Sequence, residues 1–294
     1  MRTLTDLAAL AIEGRQTLCK CCGCPAPFIG RVDFNRSCED GDGQPLPPSG
    51  VLVPYYRCGG CGFLFTRFFD HWTHGEFQAH IYNEDYPKVD HDFLSLRAET
   101  WVRSLGALLG AAFPRLTVLD WGGGTGRLAE GLRAKGVPRA ETWDPFTPAF
   151  QAMPQGTFNL VTCIEVLEHL PDPRAGLRKL KSFVSEEGGM ILSTVLQPED
   201  MAALGTDWWY LAPRNGHISL FTHRALATLL GELHCELRVF QTHIHFAWSK
   251  VPFWMLALAP PPEEARHVVR HGGLRAEPQR GQVGGEVAPH DHRG

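Results

Sequence analysis

Apolar and polar positions between residues 89 and 258 follow two alternating rhythms. Phe93, Leu96, Trp101, Leu105 and Leu108 recur at helical intervals, which predicts a helix over 92–112 that Pro114 stops. After it come four short apolar runs, TVLDW (117–121), ETWD (141–144), FNLVTCI (158–164) and GGMILSTV (188–195), each read as a strand. Amphipathic stretches at 126–136, 174–184 and 223–233 are read as helices, the first punctuated by Gly136 and Pro138. The run CELRVFQTHIHFAW (235–248) adds one or two closing strands. Strands that alternate with helices of about 10–15 residues make βαβ units, hence an α/β fold with a doubly wound, mostly parallel sheet.

The flanks read differently. Residues 1–88 are rich in Cys, Gly, Pro and aromatic side chains and are expected to form a small domain plus connector. Residues 259–294 hold Pro, Gly, Arg and His with few large apolar groups, so a disordered tail is expected there.

The turn after the first predicted strand, VLDWGGGTG (118–126), is where such a sheet binds its ligand. A phosphate loop of the G-x-x-x-x-G-K type is excluded because no lysine lies in or just after it. A dinucleotide pattern must take Gly124, Gly126 and Ala129, and leaves Gly122 and Gly123 unexplained. The better fit is G-x-G-x-G on Gly122, Gly124 and Gly126, with Asp120 two residues ahead. A carboxylate there repels a pyrophosphate but suits a cationic ligand. Asp144, ending the next strand, is placed to accept hydrogen bonds from ribose hydroxyls. Together these features point to a nucleoside carrying an amino acid and a positive sulfur, S-adenosylmethionine.

With ETWDPF and FNLVTCIEVLEHLPDP added, the chain resembles class I S-adenosylmethionine-dependent methyltransferases, in the small-molecule branch that includes ubiquinone-type and sugar-modifying enzymes. The resemblance runs on through GGMILSTV and WWYLAPRNGHISLF and covers roughly residues 90–250. It implies a Rossmann-like domain over 89–258 that moves a methyl group to a small-molecule acceptor, such as a sugar nucleotide or secondary metabolite. It places Asp120, Gly122, Gly124, Gly126, Asp144 and Cys163 around the cofactor. One departure stands out: Asp144 and Phe158 lie too close to fit another helix and strand between them. The third strand is therefore expected to shrink to a few residues near Phe150, and Phe146 to cover the adenine face.

Seven of the nine cysteines fall within residues 19–61. CKCCG (19–23) and CGGCG (58–62) each contain C-x-x-C-G, and two such knuckles make a closed tetrahedral site for structural zinc. Cys19, Cys22, Cys58 and Cys61 are the expected ligands, with Cys21 and Cys24 as alternates. Cys38 has no partner at ligand spacing. Residues 1–88 are thus expected to be a four-cysteine zinc ribbon, like those that accompany some sugar and antibiotic-pathway methyltransferases.

Methyl transfer requires an aligned nucleophile and a proton acceptor. His169, closing EVLEH, His217 in NGHISLF, and Glu165 are the candidates. The bland roles are a turn cap before Pro171 for His169 and a helix-terminal acid for Glu165. His243 and His245 are expected to be structural or on the surface. Trp208, Trp209 and Tyr210 suit either a pocket wall or the core, and Tyr82 and Tyr86 could reach the site from the connector. A formal charge of -4 argues against nucleic acid as partner. No run approaches the ~20 apolar residues that span a bilayer. The N-terminus, with Asp6 and Glu13, does not read as a secretory signal, so the cytoplasm is the expected compartment. An RNA methyltransferase gripping its substrate with the ribbon, and a scaffold that binds cofactor without turnover, are the alternatives.

Overall fold

The structure, a computed structural model, describes residues 2–10, 14–39, 46–93, 96–241 and 243–256; the tail expected over 259–294 lies outside them. Helix α1 (Leu4–Leu10) leads into strands β1 (Gln16–Leu18), β2 (Pro25–Asp33), β3 (Leu52–Arg57) and β4 (Leu64–Phe65). The connector holds α2 (His74–His80) and α3 (Tyr86–Val89). The first of these starts on a reciprocal cap: the Thr73 hydroxyl accepts from the Glu76 amide while the Glu76 carboxylate accepts from the Thr73 amide. Helix α4 (Leu96–Leu109) buries Trp101, Leu105 and Leu109. It stops earlier than its apolar spacing predicts, because Gly110–Arg115 tightens into a 3₁₀ stretch that contains Pro114.

Then follow β5 (Thr117–Trp121), α5 (Arg127–Ala134), β6 (Arg139–Trp143), β7 (Phe158–Ile164), α6 (Pro173–Lys181) and β8 (Val184–Ser193). The chain closes through α7 (Met201–Leu204), β9 (Ser219–Leu220), α8 (His223–Gly231), β10 (Glu236–Gln241), β11 (Ile244–Trp248) and α9 (Phe253–Leu256). Six of these strands form one sheet in the order β10-β11-β8-β7-β5-β6. Pairings from β8 to β6 are parallel, and β11 is antiparallel to both its neighbours. This is the doubly wound α/β sheet the strand–helix alternation predicts. Its strand order reverses at β5, which has β6 on one side and β7 on the other. Between β6 and β7 there is no strand, only a single 3₁₀ turn at Pro148–Phe150, so β6 is the sheet's edge.

The second sheet, β1-β2-β3-β4-β9, is antiparallel throughout and takes its last strand from far along the chain: Leu64 pairs with Leu220 and Phe65 with Ser219. Residues 1–88 therefore do not close a sheet by themselves. One compact unit spans 1–257. Its larger core cluster mixes Cys19, Tyr56, Phe63 and Phe65 with Leu119, Val161, Leu192, Phe221 and Leu226, so no seam in the packing marks residue 88. Among the described residues no helix is long and apolar enough to cross a membrane.

Candidate functional site

The glycine loop leaves β5 at the point of strand-order reversal. Gly122, Gly124 and Gly126 all sit at positive φ, +79°, +53° and +80°, a region that costs an L-residue roughly 1–2 kcal/mol. Each close approach also has a named neighbour. A Cβ on Gly122 would lie 2.6 Å from Val166 Cγ2, and one on Gly126 would lie 2.5 Å from Phe150 Cζ. Gly123, which the spacing argument left unassigned, has its own reason: its Cβ would fall 2.1 Å from Asp120 Oδ2. The carboxylate of Asp120 is thus folded beneath the loop, where its Oδ1 accepts from the Thr162 hydroxyl at 2.9 Å. Burial, and secondarily the charge of Asp144, push its pKa up to about 7, against the Thr162 bond.

Asp144 binds the loop directly. Its Oδ2 accepts from Gly124 N at 3.0 Å and its Oδ1 from the amides of Phe146 and Thr147, each at 2.9 Å. A carboxylate oxygen with one amide bond retains acceptor capacity for a ligand hydroxyl. Phe146 is half-buried, with its ring 4.4 Å from Tyr82 and 5.7 Å from His74, so the connector packs on it. Cys163 is fully buried in the larger core cluster, one residue along the strand from Thr162 and so on the other face of the sheet.

After β7 the chain turns through Glu165, at φ +52° one of two non-glycine residues at positive φ among those described. Such a conformation is held by its surroundings. The Glu165 amide donates to Ser193 O at 3.0 Å, and its carboxylate accepts from the Ser193 hydroxyl and has Tyr210 Oη 3.3 Å away. Val166, next in the chain, is the residue that packs on Gly122, so this turn lies against the glycine loop. Beyond it, Glu168 is fully buried and accepts from Tyr210 Oη at 2.7 Å through Oε1, while its Oε2 has no hydrogen-bond partner. Burial, followed by the charge of Glu165, raises its pKa to about 8.

His169 and His217 stand side by side with ring centroids 5.1 Å apart, and His169 Nε2 lies 3.8 Å from Glu168 Oε1. Burial holds both imidazoles neutral, lowering His217 to about 4 and His169 well below the usual range. His217 Nδ1 lies 3.0 Å from Tyr210 O; a carbonyl only accepts, so Nδ1 carries the hydrogen and Nε2 the lone pair. Ligand atoms of Glu168, His169 and His217 all fall within 4.8 Å of one another, a donor set able to hold a cation.

Of the predicted acid–base candidates, His169 and His217 are thus brought together beside Glu168, and Glu165 begins the turn that carries Glu168 and His169. Sequence reasoning passed over Glu168, although its spacing from Glu165, one helical turn apart and beside a histidine, was a usable signal. The roles of Tyr210, whose single hydroxyl proton goes to Glu168 with Glu165 the farther neighbour, and of Cys38, whose Sγ lies 3.6 Å from His217 Nδ1, depend on contacts distant in sequence. His245 is buried, with Nε2 3.0 Å from Thr194 O, and His243 lies in the turn before β11. Trp208 is buried, whereas Trp209 is 44% exposed beside Tyr210.

At the other end of β4, the thiols of Cys19, Cys22, Cys58 and Cys61 lie within 4.8 Å of one another. The Cys19–Cys61 and Cys22–Cys58 sulfurs are 3.7 and 3.4 Å apart. A tetrahedron with metal–sulfur bonds of about 2.3 Å has edges near ~3.8 Å, so the spacing fits a thiolate-bound metal. Amides of Cys21, Gly60 and Cys61 point at the sulfurs, and Gly23 and Gly62 turn at positive φ, the reason each knuckle ends in glycine. The alternates fall outside this set: Cys21 Sγ donates to Ala225 O at 3.2 Å, and Cys24 is exposed.

Residues 93–238 match a protein-family model described as a methyltransferase domain. The likeness is to that domain, over just under half of the chain. That match takes in β5 to α8 and the start of β10, both loops of the site, and His217. Among curated proteins, the chain is 31% identical over 155 residues to a ubiquinone biosynthesis O-methyltransferase of Pseudomonas paraeruginosa, covering 43% of this chain and 64% of that one. A protein of the same name from Albidiferax ferrireducens is 29% identical over 155 residues, 43% of this chain and 59% of the relative. The chain thus covers less than two thirds of either relative. Among solved structures, a 1,6-didemethyltoxoflavin-N1-methyltransferase of Burkholderia thailandensis is 16% identical with a TM-score of 0.42, over 66% of this chain and 93% of that one.

Proposed function

We propose that this chain transfers a methyl group from S-adenosylmethionine to a hydroxyl of a small-molecule acceptor. One observation carries the reading. The turn with Glu165, Glu168 and His169 is clamped by Val166 onto Gly122, so the buried acid–base cluster borders the loop that suits the cofactor. The name O-methyltransferase borne by the curated relatives supports oxygen as the acceptor atom.

When bound, S-adenosylmethionine supplies a methyl group on a positively charged sulfur. The residues that would hold it are Gly122, Gly124 and Gly126, whose missing Cβ atoms allow close approach, together with Asp120 and Asp144, whose charges suit a cation and a ribose. The remaining work is alignment and proton removal. A neutral imidazole at His169 or His217 takes the acceptor's hydroxyl proton. Burial keeps both rings unprotonated at neutral pH, the state a base requires.

A second reading of the same cluster has its own support in the buried, unpartnered Glu168 Oε2. A divalent cation on Glu168, His169 and His217 would satisfy that oxygen and orient a hydroxyl in place of accepting its proton. At the knuckles, we read Cys19, Cys22, Cys58 and Cys61 as ligands of one structural zinc. The domain plan that follows is a zinc-holding N-terminal part, residues 1–88, leaning on a methyltransferase part, residues 89–258.

The test is turnover with methyl-labelled S-adenosylmethionine against a panel of hydroxylated and amine-bearing metabolites, with and without manganese. Label appearing on a hydroxyl supports the proposal. Labelled amines alone would refute the choice of acceptor atom, and failure to bind the cofactor at all would refute the whole reading.

A further inference from the structure

Within the first knuckle stands Lys20, a position metal ligation leaves free. Its side chain is only 8% exposed. A buried ammonium is costly unless its protons are used, and here all three are. Nζ donates to Thr66 O at 2.8 Å, to the Asp70 carboxylate, and to Pro171 O at 2.9 Å. The first two acceptors follow the second knuckle in the chain. The third lies two residues beyond His169, on the turn that carries the acid–base cluster.

Other bonds run the same way. Arg174, at the start of α6, donates to Cys21 O. Thr66 N donates to Ile218 O at 3.1 Å and Ile218 N to Glu168 O at 2.8 Å, while the Ser219 hydroxyl donates to Leu170 O at 2.7 Å. The carbonyls of Glu168 and Leu170 are thus held by Ile218 and Ser219, at the β9 edge of the sheet that the N-terminal strands begin, and that of Pro171 by the knuckle itself. Glu165, at positive φ, begins a turn that depends on such support.

We propose that Lys20 is a positioning residue: the metal-bound knuckle presses its ammonium onto the Pro171 carbonyl and so fixes Glu165, Glu168 and His169 against the glycine loop. This rests on reading that turn as the methyl-transfer site, and it gives the ribbon a part in the reaction beyond folding. Replacing Lys20 by methionine keeps the apolar stem and leaves Asp70 paired with Arg67, 3.0 Å away, but strips Pro171 O of its partner.

The experiment compares the wild type with Lys20→Met and Lys20→Arg. It measures metal per chain, S-adenosylmethionine affinity by calorimetry, and amide exchange in peptides covering 164–172, with 117–134 as control. In Lys20→Met, exchange over 164–172 should rise about tenfold, with metal content, cofactor affinity and the control peptide unchanged; Lys20→Arg should restore it. If Lys20→Met does not fold, Lys20→Gln, which keeps a polar donor but no charge, replaces it, with the same localised rise expected. Unaltered exchange over 164–172 in either case overturns the proposal, as does a change spread evenly over the chain. Should the wild type fail to bind S-adenosylmethionine, the methyltransferase reading fails while the exchange result still decides whether Lys20 holds the turn.

Discussion

At the scale of single residues, Asp120 is the sharpest test of the cofactor loop. Its pKa is raised to about 7 from an ordinary 3.8, mainly by burial. A raised folded-state value means a stabilising contribution that is complete below the ordinary value and lost as pH climbs through about 7. Asp120→Asn should therefore match the wild type in acid and exceed it above pH 7 in thermal melts without cofactor, since asparagine still accepts from Thr162. The same variant should bind S-adenosylmethionine about tenfold more weakly, through loss of one charge-assisted contact. Gly123→Ala gives an independent check. Gly123 is not at positive φ, so the first obstacles its added methyl meets are the side chains of Asp120 and Thr142. Displacing the carboxylate should lower cofactor affinity about as much as Asp120→Asn; calorimetry showing wild-type affinity would dismiss the role given to Asp120.

Elements explain why some of this was legible in sequence and some was not. The bounds of β5 and β7 match the runs TVLDW and FNLVTCI residue for residue, because buried central strands are continuous apolar stretches. β6 begins two residues earlier than ETWD suggests, since an edge strand carries a weaker pattern. The missing third strand was visible as a shortage of residues, and the Pro148–Phe150 turn fills the gap by setting Phe150 against Gly126. The pairing of β4 with β9 had no local signal: two residues at each position are too short to show a period, and the partners lie far apart in the chain. That pairing predicts that Thr222, whose hydroxyl caps α8 through Ala225 N and donates to Cys61 O at 2.6 Å, links knuckle to helix. Thr222→Val should lose about 1 kcal/mol in denaturant unfolding, with Thr222→Ser recovering most of it.

Viewed whole, the two sheets share cores, so a metal at the knuckles should stabilise the entire unit. Chelation is expected to lower a single cooperative melting transition, because binding free energy at a site present only in the folded state adds to folding free energy. Two separate transitions, with the second insensitive to chelator, would instead show a ribbon that folds by itself. The acid–base cluster is also a product of the whole molecule: Glu165 and Glu168 come from one turn, Tyr210 and His217 from another, and Tyr55 in β3 donates to His217 O at 2.8 Å. Motif order along the chain pointed to the loop and the turn; only the fold shows that the N-terminal sheet braces them.

What occupies the bend after β5 decides the cofactor reading, and a crystal soaked with S-adenosylhomocysteine and NAD together tests it most directly. The expected density is the adenosyl compound along Gly122–Gly126, with its ribose at Asp144 and its sulfur facing Glu168 and His169. NAD in that bend, with the adenosyl compound absent, would contradict it.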